Sequence, residues 1–82
     1  MAKYGKRDLL RAARIALGIK HDQMASLAGV SRPTLTTIEG SEHNVGTRSI
    51  DKVQAALERE GIQFLPEAEN LGPGFRLPVL KK

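Results

Sequence analysis

Segment 17–40, LGIKHDQMASLAGVSRPTLTTIEG, constrains the fold more than any other stretch of this 82-residue chain. It reads as two short helices joined by a tight turn, with a small residue wherever the two must come close. A helix over about residues 21–28 would bury Met24, Ala25 and Leu27 on one face. Gly29 then supplies the positive φ that a sharp reversal demands, since glycine has no Cβ to clash there. Ser31 is placed to cap the next helix, its hydroxyl accepting an N–H that the first turn leaves unpaired. Pro33 falls in that first turn, where a missing N–H costs nothing. Leu35 and Ile38 would face inward, and the helix would end at Gly40. The amino end of this second helix is then left projecting from the surface.

The flanks fit around that pair. Residues 1–6 have no apolar period and read as an arm. Residues 8–17 set Leu9, Leu10, Ala13, Ile15, Ala16 and Leu17 on a broad apolar stripe, with Arg11 and Arg14 between them and Gly18 as a left-handed stop. The polar stretch 41–46 reads as a loop. Thr47 would cap a helix over 48–60, with Ile50, Val53, Ala56 and Leu57 at helical spacing and Gly61 ending it. Residues 62–65 and 75–80 read as short strands around a turn-rich middle, and Pro78 confines the second strand to an edge or cuts it short. The expected fold is mainly α: a four-helix domain over 7–61 containing a helix-turn-helix, with a C-terminal β-hairpin in 62–82.

Composition narrows the function. There is no cysteine, so disulfides, thiolate metal sites and cysteine nucleophiles are excluded. No run approaches the roughly 20 apolar residues a bilayer span needs, and the charged start MAKYGKRDLLRAARIALG has no leader-like apolar stretch, so a cytoplasmic protein without a membrane partner is expected. His21 and His43 fall at a helix start and in a loop, so neither pairs with a carboxylate along one helix as a helical metal site requires. The GPG at 72–74 lacks the helix and Lys-Ser/Thr ending of a phosphate loop. No catalytic residue, metal or cofactor is expected. Residues 1–40 carry seven Lys/Arg against three Asp/Glu, so the positive excess lies on the half that holds the helix pair. A basic face suits a phosphate backbone.

Arg14-Ile15-x-Leu17-Gly18-Ile19, Met24-Ala25-x-x-Ala28-Gly29-Val30-Ser31, Thr34-Leu35-x-x-Ile38-Glu39 and Ala56-Leu57 together resemble the phage-repressor-like helix-turn-helix family, the Cro/XRE type of bacterial and phage regulators. The likeness covers about residues 7–61. It implies a repressor-like DNA-binding domain whose second helix of the pair enters the major groove. By that resemblance, Arg32, Pro33, Thr36 and Thr37 would read bases, with Arg32 best suited to hold both acceptors of a guanine. Lys20, His21, Ser31, Thr34, Ser41 and Arg48 would contact the DNA backbone and fix register. Lys20 departs from the pattern, standing where a capping Ser, Thr or Asn is common; Asp22 could supply the favourable charge instead. Arg14 and Glu39 match positions that form a partly buried ion pair, a structural role.

The implied function is a homodimeric transcriptional regulator, an (auto)repressor reading an inverted repeat in double-stranded DNA. Ile62, Phe64, Leu65, Phe75, Leu77, Val79 and Leu80 are more apolar residues than two short strands can bury on so small a domain. Ile62, Phe64, Phe75, Leu77 and Val79 are therefore the expected dimer contact, set against a hairpin folded back on its own chain. Two other readings stand beside this one: an antitoxin with a toxin as protein partner, and an interaction module that kept the fold without DNA binding.

Overall fold

Helix α1 (Lys6–Leu17) begins earlier than its apolar period alone indicates. The Asp8 carboxylate reaches back one turn and accepts the Gly5 N–H at 3.1 Å, so the arm boundary moves: Lys6 already belongs to the helix. The structure, a computed structural model, describes residues 5–41 and 43–79, and residues 1–4 of the expected arm lie outside these. Gly18, with φ +74, ends α1 in the left-handed conformation, its N–H donating to the Ile15 carbonyl at 3.0 Å. Leu10, Ala13 and Arg14 form the buried stripe of α1, with Leu17 half-buried one turn on. Ile15 and Ala16 are exposed, contrary to the broad stripe expected, because the face of α1 that turns inward holds Arg14 in place of an apolar side chain.

Helices α2 (His21–Ala28) and α3 (Arg32–Gly40) form the expected pair around Gly29, whose φ is +71. Met24, Ala25 and Ala28 are the buried face of α2, while Leu27 is 38% exposed. Leu27 lies just outside the arc that those three residues share, so the burial expected for it falls to Ala28. Helix α4 (Thr47–Arg59) starts one residue before the expected position. Its N-cap is Gly46, whose carbonyl accepts the Ser49 and Ile50 N–H groups; Thr47 is inside the first turn and makes no cap bond.

The four helices close over one core in which Leu10, Met24, Leu35, Ile38, Val53 and Leu57 are fully buried. Helices α1 and α4 flank the α2–α3 pair, α4 packing chiefly on α2 and α1 on α3. Strands β1 (Gln63–Leu65) and β2 (Gly74–Arg76) pair antiparallel, with Gln63 opposite Arg76, Phe64 opposite Phe75 and Leu65 opposite Gly74. The chain is thus mainly α with a small C-terminal hairpin. The second strand stops at Arg76; Leu77, Pro78 and Val79 run on outside the ladder, as a proline with no N–H to donate dictates. Leu80 lies outside the described residues.

The hairpin folds back on its own chain. Ile62 is buried in the helical core, and Phe64 and Phe75 pack partly against it with ring centroids 6.4 Å apart. Ile62, expected at a dimer contact, is instead committed to the core of its own chain, and Phe64 and Phe75 are half-committed in the same way. Gly61 fixes this return: its φ is +103, and a Cβ there would lie 2.7 Å from the ring of Pro78. Among the described residues no helix is long and apolar enough to cross a membrane.

Candidate nucleic-acid interface

Helix α3 has one face buried and one outward. Leu35, Ile38 and Glu39 turn inward, while Ser31, Arg32, Pro33 and Thr36 are exposed along its amino-terminal half. Ser31 builds that end. Its Oγ accepts the Thr34 N–H at 3.2 Å and donates to the Thr34 hydroxyl at 2.8 Å. Pro33 sits in the first turn, so the remaining free N–H groups and the positive end of the helix dipole point at the solvent.

The expected base-reading residues are not equally free. Arg32 is exposed, and its Nη1 meets the Asp22 carboxylate of α2 at 3.0 Å. An exposed pair of this kind contributes about 0–1 kcal/mol, less than a bidentate contact to a guanine. Asp22 thus aims the guanidinium without holding it. Thr37 is half-buried, and its hydroxyl donates to the Pro33 carbonyl at 3.0 Å, one turn back. That bond leaves chiefly its methyl to offer. Thr36 is exposed, and Pro33 presents a flat apolar surface.

The expected backbone-contacting residues are spread over three helices. Lys20 is the exposed N-cap of α2 and makes no side-chain cap bond, so the start of α2 is left to Asp22 and the solvent. Arg48 is exposed in the first turn of α4. Ser41 is the exposed C-cap of α3 and adopts φ +57, unusual for a residue with a side chain. Thr34 lines a cleft of about 340 Å³ with Pro33, Thr37, Asn44, Val45 and Ser49, between α3 and the start of α4.

His21 has a second commitment that sequence reasoning did not find. Arg14 donates to Glu39 from Nε at 2.7 Å and from Nη2 at 3.0 Å, and its Nη1 donates to the Ile19 carbonyl at 2.8 Å. His21 Nε2 lies 3.0 Å from the same carboxylate, and a carboxylate only accepts, so this nitrogen carries the proton. Glu39, 7% exposed, therefore ties α1, α2 and α3 together. Arg7 was also missed. Its guanidinium donates to the carbonyls of Thr37, Ile38 and His43. Arg7 and Arg14 stand seven residues apart, two helical turns along one face of α1, but that spacing names no acceptor for either.

Among the described residues no three His, Asp or Glu side chains gather as a metal site would require. The chain matches no family model, and no curated protein matches it significantly.

Proposed function

We propose that this protein binds double-stranded DNA as a sequence-specific transcriptional regulator, presenting the amino half of α3 to the major groove. One observation carries the reading: a capped helix end with Arg32, Pro33 and Thr36 outward, on the half of the chain that holds the excess positive charge. Arg32 supplies base readout, with Thr36 and the Thr37 methyl as lesser contacts; Lys20, Ser31, Thr34, Ser41 and Arg48 face the phosphates. His21 contributes by fixing the start of α2 through Glu39. With few reading side chains, groove shape supplements direct contact.

A homodimer on an inverted repeat, with half-sites about one helical turn (roughly 34 Å) apart, follows from this mode, and occupancy of a promoter would make it a repressor. The dimer contact we propose is the exposed rim of the hairpin, Leu77 and Val79 together with Leu65 and Leu71. The same rim supports the rival reading of a toxin or other protein partner.

Selection from a random duplex pool, followed by binding at rising salt, tests the proposal. Affinity should fall steeply as salt rises, because displaced counterions drive phosphate contacts. Arg32→Ala should relax base preference at one half-site position, whereas Lys20→Ala should weaken all sequences about equally and flatten the salt slope. Failure to enrich or retard any duplex in dilute buffer overturns the reading.

A further inference from the structure

We infer that Arg7 sets the pose of the reading helix: from α1 its guanidinium holds the carboxyl end of α3 and the loop behind it, so the angle at which Arg32, Pro33 and Thr36 leave the surface depends on a side chain that touches none of them. The inference rests on the duplex-binding reading of α3.

Helix α3 has no basic residue in its last turn. Its final carbonyls are the negative end of the helix dipole; Thr37 O and Ile38 O share one donor, the Ser41 N–H at 3.2 and 3.3 Å, and each keeps a lone pair for another. Arg7 brings the further donors: Nη2 donates to Thr37 O at 2.6 Å, Nε to Ile38 O at 2.8 Å and Nη1 to His43 O at 2.8 Å. All three nitrogens of the planar fork are engaged, an arrangement that the single ammonium of lysine cannot reproduce. These bonds fall on both sides of Ser41, the residue at φ +57. They brace a reversal that a residue with a Cβ rarely adopts. The half-buried Arg7 thus differs from an ordinary surface arginine: all three of its acceptors are backbone, and all lie on α3 or its exit.

Position gives these bonds leverage. Arg14, on the same face of α1, grips Glu39, and Arg7 grips the carbonyls around it, so both side-chain grips from α1 fall near the carboxyl end of α3. A nine-residue helix is about 13 Å long, and a tilt of roughly 10° about that end moves its other end by about 2 Å. A bidentate contact from Arg32 does not survive such a shift. The His43 bond also places Asn44 and Val45 against Pro33, Thr34 and Thr37 across the cleft.

The test compares wild type, Arg7→Lys and Arg7→Met, with Lys6→Met as a neighbouring loss of charge, at a temperature where circular dichroism shows each folded. Two quantities are read: amide exchange at Ser41, His43 and Asn44, and the ratio of affinities for the duplex that wild type enriches and a scrambled duplex of the same composition. In both Arg7 variants exchange should quicken at those amides, and the affinity ratio should fall about tenfold, the equivalent of one charge-assisted hydrogen bond. Lys6→Met should leave the ratio unchanged. Binding to the scrambled duplex should drop similarly in Arg7→Met and Lys6→Met, since each loses one charge. A merely structural role would shift the unfolding midpoint and leave the ratio of the folded protein alone. Wild type that discriminates between the duplexes while both Arg7 variants keep its ratio overturns the inference and spares the duplex-binding reading. Wild type that enriches no duplex overturns both, even if exchange still quickens.

Discussion

Segments 21–40 and 62–79 are of similar length and are held in opposite ways. In the α2–α3 pair three of the four helix ends have a side-chain partner. Ser31 caps the start of α3, Arg7 takes its last carbonyls, and Arg59 of α4 donates to Leu27 O near the end of α2 at 3.2 Å. The hairpin has a ladder of three residue pairs, one buried anchor in Ile62, and four exposed apolar side chains in Leu65, Leu71, Leu77 and Val79. The difference is in cross-links, not in apolar content. Neither α2 nor α3 has a basic residue in its own last turn, and each borrows a guanidinium from a longer flanking helix. A short helix so fixed can hold a surface in one pose, whereas the hairpin rim is left for something to cover.

The sharpest way to break this comparison is to remove the link that joins three helices at once. Arg14→Met leaves the Glu39 carboxylate buried with His21 alone and strips a donor from Ile19 O. Loss of one partner from a buried pair costs about 3–5 kcal/mol. Urea denaturation should therefore show the largest drop in midpoint of any single change proposed here, and Glu39→Gln should follow it. Unchanged midpoints in both would mean that the triad does not hold the pair.

Next comes truncation of matched leucines. Leu35 is fully buried beneath α3, and Leu35→Ala should cost about 2–5 kcal/mol, the range for a cavity in a packed core. Leu77, half exposed beyond β2, should cost less than about 0.5 kcal/mol as Leu77→Ala. Equal losses would place the hairpin rim in the core after all. Sedimentation sharpens the same contrast: Val79→Asp should reduce self-association while leaving the unfolding midpoint near wild type, Val79 being 88% exposed.

A smaller effect is expected at the turn. Gly29→Ala must hold φ near +71 with a Cβ, which costs about 1–2 kcal/mol, although the space around it is open. Gly61→Ala carries the same backbone penalty and also meets Pro78, so it should loosen the hairpin selectively. Proteolysis within 66–79 of Gly61→Ala, with the helices still protected, would show that the two regions come apart independently.

These contrasts also mark what could be read in the chain before its fold. The helix pair was legible because its signals are local and redundant: a glycine at the turn, a serine at the cap, a proline in the first turn and alternate apolar positions all agree. Arg14 and Glu39 were reached only through a resemblance, since nothing in local spacing joins residues so far apart in sequence. Arg7, and the bond between His21 and Glu39, escaped because a polar side chain looks the same in sequence whether it faces water or a carbonyl of another helix. Leu27 was misplaced by one position on an eight-residue helix, where a single leucine tips the apparent stripe. Apolar content in the tail could not say that Ile62 would go inward and Val79 outward; that depends on Gly61 turning the chain back and Pro78 seating against it.

A change at the low end of the range expected for Gly29→Ala separates the cap of α3 from the surface it presents. Ser31→Ala removes the acceptor for the Thr34 N–H, and loss of an N-cap costs about 1 kcal/mol. Ser31→Asp keeps an acceptor at the same position and adds a negative charge that the helix dipole favours, so its stability should match or exceed wild type. The two variants then diverge on DNA. If the amino end of α3 lies against a groove lined by phosphates, the aspartate is repelled there and duplex affinity falls, although the fold is as firm as before. Ser31→Ala, less stable but uncharged, should keep more of the binding at a temperature where it is fully folded. Duplex binding by Ser31→Asp at wild-type affinity, with its midpoint preserved, would move any DNA contact away from this helix end and leave the exposed hairpin rim as the stronger site for a partner.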